Sequence, residues 1–122
     1  MIRLNSESSQ VAALLIHVAD QDAGVAWYAS AFPMAVRKTS EDGFVSLHVQ
    51  GTAIEIAPAD EKVSSGPAGS VVYWRVEDFD AALNHMQERG AVLYRGPMKF
   101  EHGLRMCQVR DPWGNCIGLR GK

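Results

Sequence analysis

No apolar run in this chain approaches the roughly 20 residues that a helix needs to cross a bilayer, so no membrane-spanning helix is expected. An excess of one charge is lacking too. Twelve Lys and Arg stand against 14 Asp and Glu, and a net charge of -2 gives no reason to expect nucleic acid or an anionic membrane as partner. Cysteine is scarce. Cys107 and Cys116 fall in strand-like segments without CxxC or zinc-type spacing. They read as reduced packing residues of a cytoplasmic protein, with a disulfide between neighbouring strands as the lesser alternative. The stretch from Met1 to Ser9 lacks the basic start and apolar core of a signal peptide.

What is present is ordinary for one globular domain. The 122 residues, 47% of them hydrophobic, suffice for a core without metal or disulfide staples. A repeat organises them. Val18-Ala19-Asp20-Gln21-Asp22-Ala23 returns as Val76-Glu77-Asp78-Phe79-Asp80-Ala81, and in the same register Leu14 falls on Val72 and Ile16 on Trp74. Each copy follows an apolar run and opens an amphipathic segment, as expected of a duplicated supersecondary unit.

In the first unit, Val11 to Val18 reads as a buried strand. Asp20 caps a helix carrying Val25, Tyr28, Ala29 and Phe32 at helical spacing, and Pro33 stops it. Strands follow at Ala35 to Thr39, Phe44 to Val49 and Thr52 to Ile56. Ala57 to Gly69 is a linker rich in Pro, Ala, Ser and Gly. The second unit repeats the order: a strand from Val71 to Val76, then a helix capped by Asp78, burying Phe79, Leu83 and Met86 and stopped by Gly90. Strands at Ala91 to Tyr94, Leu104 to Val109 and Cys116 to Leu119 complete it, with Asp111-Pro112-Trp113-Gly114-Asn115 as the last turn.

Val18-Ala19-Asp20, Trp27-Tyr28, Val76-Glu77-Asp78 and Arg110-Asp111-Pro112-Trp113-Gly114-Asn115 together give the chain a resemblance to the vicinal oxygen chelate superfamily. That superfamily holds glyoxalase I, extradiol (ring-cleaving) dioxygenases, fosfomycin-resistance enzymes and bleomycin-resistance proteins. The Asp-Pro-x-Gly-Asn run is its most specific element, and the resemblance covers nearly the whole chain. It implies an α+β fold of two βαβββ modules, about 11–57 and about 70–120, joined by a linker at about 58–69. Their curled sheets would surround a cavity, with the helices outside. The resemblance also implies a homodimer, sometimes with modules exchanged between chains.

Catalytic members of such a family hold a divalent metal that chelates substrate oxygens. One ligand, a His or Gln, stands seven residues before the capping Asp of the first unit, which here is Ala13. Its counterpart in the second unit is Val71, and the Glu of the last strand is replaced by Gly118. Only Glu55 survives, and a lone carboxylate does not make a metal site. No metal and no cofactor are therefore expected.

Strand alternation gives the rest of the inner face. Leu15 and His17 share a face with Ala13, Tyr73 and Arg75 with Val71, Ala53 and Ala57 with Glu55, and Cys116 and Arg120 with Gly118. The opposite faces, from Leu14, Ile16 and Val18 to Val72, Trp74, Ile117 and Leu119, are apolar and should pack under the helices. The expected ligand-binding residues are thus His17, Glu55, Tyr73, Arg75, Arg120 and Leu15, with small residues enlarging the cavity where metal ligands once stood. Phe100, Glu101 and His102 lie in Met98 to Gly103, a polar hairpin or loop that reads either as an ordinary solvated turn or, as the resemblance implies, as a loop over the cavity mouth with possible ligand contacts.

Each residue also has an ordinary reading. His17 can be a hydrogen-bonded inner-face histidine, Glu55 can pair with Arg75, Tyr73 can be packing, and Arg120 can be solvated. Trp27 and Trp74 read as core, Trp113 as a pocket rim or dimer contact, and His85 as solvated. The favoured function is a metal-free, cytoplasmic, homodimeric binder of a small antibiotic-like or metabolite-like molecule, with neither nucleic acid nor membrane as partner. The alternative is a lyase, isomerase or other enzyme. It would use a rearranged metal set from His17, His48, Glu55 and His102, or metal-free acid–base chemistry by His17 with Glu55, or proton transfer from Tyr73. A weaker reading makes the dimer surface the functional part.

Overall fold

Asp20 and Asp78 perform the same task in the two copies of the repeat. Each has extended backbone angles and accepts a hydrogen bond from the N–H three residues on, Ala23 at 3.1 Å and Ala81 at 3.0 Å. Each thereby starts a helix where a strand has just ended. The computed structural model describes residues 11–99 and 101–122. The stretch before residue 11, and with it Met1 to Ser9, lies outside the described residues, as does Phe100.

In chain order the elements are β1 (Ala13–Val18), α1 (Gln21–Ala31), β2 (Val36–Thr39), β3 (Val45–Val49) and β4 (Thr52–Pro58). Then come β5 (Val72–Val76), α2 (Phe79–Glu88), β6 (Val92–Lys99), a 3-10 turn at Glu101–Gly103, β7 (Arg105–Arg110) and β8 (Cys116–Gly121). The order βαβββ occurs twice, as the repeat predicts. One sheet has the strand order β1-β4-β3-β2 and the other β5-β8-β7-β6. In each, the first strand runs parallel to the last and the other pairs are antiparallel. The fold is α+β, with sheets that curl without closing.

One core joins the modules. Ile16, Val18, Leu47, Ile54 and Ile56 of the first sheet and Cys107, Val109, Ile117 and Leu119 of the second are buried with Val25, Tyr28, Phe79 and Met86 from the helices. Fully burying each of the larger side chains stabilises the fold by about 1.5–3 kcal/mol. Gly24 lets α1 lie close on its sheet, because a Cβ there would fall 2.7 Å from Val18 Cγ2 and 2.8 Å from Ile56 Cγ2. At the end of α2, Gly90 takes φ 91°. The Ala91 N–H then reaches the Met86 carbonyl and the Gly90 N–H that of Gln87, which closes the helix.

The Asp-Pro-Trp-Gly-Asn turn fastens one module to the other. Asp111 is buried and accepts the Tyr28 hydroxyl at 2.6 Å, the Trp113 and Asn115 N–H groups at 2.8 Å each, and Asn115 Nδ2 at 3.0 Å. Asn115 Nδ2 also donates to the His17 carbonyl in β1, and its Oδ1 accepts the Gly66 N–H of the linker. The helices are joined as well: Trp27 Nε1 donates to the Arg89 carbonyl, and Arg89 Nε to Ser30.

Four details differ from the sequence reading. Strand β6 runs past Tyr94 to Lys99 through two register irregularities, so Met98 and Lys99 form the end of a strand in the β6–β7 hairpin. His85 is half-buried with Nε2 3.0 Å from the Ala31 carbonyl instead of solvated, because α1 ends against α2. Val72 is 40% exposed instead of packed, because β5 is an edge strand flanking a cleft. Trp113 packs partly against the core, held there by the turn around Asp111.

Candidate functional site

The faces turned away from the core are where the two modules can meet a ligand, and strand register gives their layout. On the first sheet one row reads Ala13, Ala53, His48 and Val36, and the next reads Leu15, Glu55, Ser46 and Lys38. On the second, one row reads Tyr73, Gly118, Gln108 and Arg95, and the next reads Arg75, Arg120, Met106 and Met98. Glu55 lies between Leu15 and Ser46 as Gly118 lies between Tyr73 and Gln108. The two therefore hold equivalent places in the two copies.

Those equivalent places have different surroundings. Over Gly118 lies the ring of Tyr73: a Cβ added to this glycine would stand 2.6 Å from Tyr73 Cδ1. Tyr73 is held there from two sides. Gln108 Nε2 donates to its hydroxyl at 3.0 Å, and the Arg120 guanidinium carbon sits 4.7 Å from its ring centroid, a cation–π arrangement. The expectation that Gly118 enlarges the cavity is therefore corrected. A side chain from the next strand fills the space that the missing side chain leaves. Glu55 is half-buried. Beside it, Ser46 Oγ and His48 Nε2 are 2.9 Å apart.

Between the edge strands β1 and β5 runs a cleft of about 340 Å³, roofed by linker residues Val63 to Ser70 and floored in part by Leu15, His17, Val72, Trp74 and Cys116. A second hollow of about 540 Å³ lies past the end of α1, among Pro33, Met34, Gln50, Arg75, Glu77 and His85.

The expected site residues thus fall into groups. Leu15 and His17 line the cleft. Glu55 is the strand partner of Leu15. Tyr73, Arg75 and Arg120 stand together on the second sheet, Arg75 and Arg120 as strand partners. Arg75 also reaches the second hollow. Glu101 and His102 are exposed in the 3-10 turn, 4.0 Å from each other. Glu55 and Arg75 do not pair: among the described residues the ion pairs are His102–Glu101 and Arg105–Asp80. Gln108, Arg95 and Tyr94 escaped the sequence reading. The signal for Gln108 was there, in the alternation that buries Cys107 and Val109 on either side of it.

The residues at hand do not suit a divalent metal. Ala13, Val71 and Gly118 carry no donor, and among the described residues no three His, Cys, Asp or Glu side chains come together. The set of His17, His48, Glu55 and His102 is thus not assembled.

Titration preferences point to structure. Burial, then the charge of Asp111 and the hydrogen bond to it, push the Tyr28 hydroxyl far above its usual range. Burial likewise raises the thiols of Cys107 and Cys116. Backbone N–H groups of Val63 and Lys62 hold Asp60 below the usual carboxylate range, and Arg105 does the same to Asp80. No helix among the described residues is long and apolar enough to cross a membrane.

Comparison with known proteins agrees with this architecture. A structure from Sphaerobacter thermophilus, described as a member of the glyoxalase/bleomycin resistance protein/dioxygenase superfamily, superposes with a TM-score of 0.76 at 20% identity, covering 95% of this chain and 99% of that one. An integron cassette protein from the mobile metagenome of V. cholerae gives 0.74 at 17% identity, covering 99% and 98%. TnmS3, an antibiotic binding protein from Streptomyces sp. CB03234, gives 0.71 at 23% identity, covering 96% and 98%. No curated protein matches the chain. The family model for the Glyoxalase/Bleomycin resistance protein/Dioxygenase superfamily matches residues 10–119, and the chain belongs to that superfamily.

Proposed function

We propose that this protein binds a small organic molecule, without a metal ion, on the open sheet faces and in the cleft between β1 and β5. The observation that carries the reading is the ring of Tyr73 over Gly118. The position that supplies the last metal ligand in catalytic relatives has here neither a donor nor room for one. In its place stands an aromatic side chain fixed by Gln108 and Arg120. A cleft of mixed lining beside it is the kind of surface that small molecules occupy. Similarity in fold to TnmS3, described as antibiotic binding, is consistent with this.

The working form of the protein is a cytoplasmic homodimer. Leu15 at 50%, Tyr94 at 50% and Val92 at 64% leave large apolar side chains exposed on or beside the open faces. A second copy would cover them. Such pairing would also turn an open face into the wall of a cavity.

Metal analysis of the purified protein, with calorimetric titration of nickel, zinc, manganese and iron, tests the metal-free part. Neither bound metal nor heat is expected. Stoichiometric metal, lost in Glu55→Gln, would refute it and favour the enzymatic alternative. A thermal-shift screen of small organic molecules tests the binding part, and a screen of broad chemistry without a single stabilising compound would count against it.

A further inference from the structure

We infer that the open face of the second sheet selects an organic anion with an aromatic ring, and not a cation. The inference rests on the small-molecule reading above and adds the sign and class of the ligand. None of the strands β5 to β8 contains an Asp or Glu, yet together they carry Arg75, Arg95, Lys99, Arg105, Arg110 and Arg120. The two sides of the sheet use these charges differently. Arg105 lies toward the helix, over the Phe79 ring and in a two-pronged bond to Asp80 at 3.0 Å. Arg75 and Arg95 are exposed, and neither takes part in an ion pair among the described residues.

Register places these charges around one aromatic platform. Tyr73 and Arg95 end one row, and Arg75 and Arg120 begin the next, with Met106 beside Arg120. Gln108 Nε2 donates to the Tyr73 oxygen, so the hydroxyl keeps its own proton to give to a ligand acceptor. Guanidinium groups recognise carboxylate, sulfonate or phosphate oxygens by planar, paired hydrogen bonds. The Tyr73 ring and the Met106 thioether offer apolar, polarisable contact to a flat hydrocarbon. A cation would meet several positive charges and no carboxylate on these strands. The first sheet, with Glu55 and one exposed Lys38 in its central row, has no such bias.

An isosteric pair of probes tests this, naphthoate and naphthylmethylammonium, each titrated into the full-length protein while backbone amide and arginine Nε–H resonances are followed. Naphthoate should shift signals of Gln108, Gly118 and the arginines of this face, and the ammonium isostere should not. Arg75→Gln and Arg95→Gln change exposed residues without touching the core. Each should weaken naphthoate by roughly three- to fivefold. Equal shifts from both probes, naphthoate shifts confined to the β1–β5 cleft, or affinities unchanged in both variants would overturn the inference. So would the absence of any shift on this face at millimolar probe. The broader reading is judged separately, by the thermal-shift screen: a neutral or cationic compound that stabilises the protein would preserve it while this inference fails.

Discussion

Removing the Tyr28 hydroxyl should loosen the joint between the two modules, and its cost can be worked out. In Tyr28→Phe the ring remains in the core, where Tyr28 is 1% exposed, so little packing is lost. What disappears is a 2.6 Å hydrogen bond to Asp111, itself 4% exposed. A hydrogen bond to a carboxylate contributes about 1.5–3 kcal/mol, and a buried oxygen that loses its donor keeps the desolvation cost. Asp111 retains three donors from Trp113 and Asn115, which places the expected loss toward the lower half of that range, about 2 kcal/mol. For a domain of this size that corresponds to a fall in Tm of roughly 6–10 °C. Denaturant melts at fixed protein concentration should show the loss in midpoint with the slope unchanged. A pH arm sharpens the test. The folded state holds the Tyr28 proton far above the usual value of 10.0, so its contribution is complete below that value and fades as pH rises beyond it. The phenylalanine variant lacks this alkaline loss, and the gap between the two proteins should narrow above pH 10. A destabilisation under about 0.5 kcal/mol, or a gap that stays constant into strong alkali, would refute the argument that this bond joins the modules.

Three further outcomes are expected. Gly118→Ala drives a Cβ into the Tyr73 ring and should cost about 1–3 kcal/mol in a chemical melt; Tyr73→Ala in the same chain should recover part of it, and independent, additive losses would disprove the contact. Gly24→Ala gains about 1 kcal/mol in helix propensity yet meets Val18 and Ile56 closer than 3 Å, so net destabilisation is expected and a raised Tm would show that the sheet yields there. Because Arg105 holds Asp80 below the usual carboxylate range, the small contribution of this exposed pair is present above that range and lost as pH falls through the folded value; Asp80→Asn should flatten the acid limb slightly, and an unchanged limb would mean the pair is solvent-screened to nothing.

Much of this was legible from the chain. The two capping aspartates, the helix stops at Pro33 and Gly90, and the alternation of β4 and β8 each follow from local chemistry that the duplicated unit states twice. What escaped depends on residues far apart in sequence. Nothing near Gly118 reveals that Tyr73, 45 positions earlier, lies across it, and no periodicity tells that Tyr28 and Asp111 meet. Strand β6 runs past Tyr94 to Lys99 because register irregularities let the edge strand continue, which local sequence does not show. Val72 was assigned to the core because alternation says which face a residue takes, not whether anything covers it.

The equivalent places of Glu55 and Gly118 set the two halves apart physically. In a symmetric pair of modules each central row would offer one carboxylate. Here the first sheet carries Glu55 at that place and the second carries Gly118, the one residue type without a side chain. Loss of a carboxylate alone would permit Ala, Ser or Gln at that place. The 2.6 Å approach of the Tyr73 ring permits only glycine without movement, so Gly118 and Tyr73 are joined in one choice. Arg120, in the next row, holds its guanidinium carbon 4.7 Å from the Tyr73 ring centroid. The glycine at this place makes room for a tyrosine ring flanked by Arg120, where the equivalent place of the first sheet presents a carboxylate.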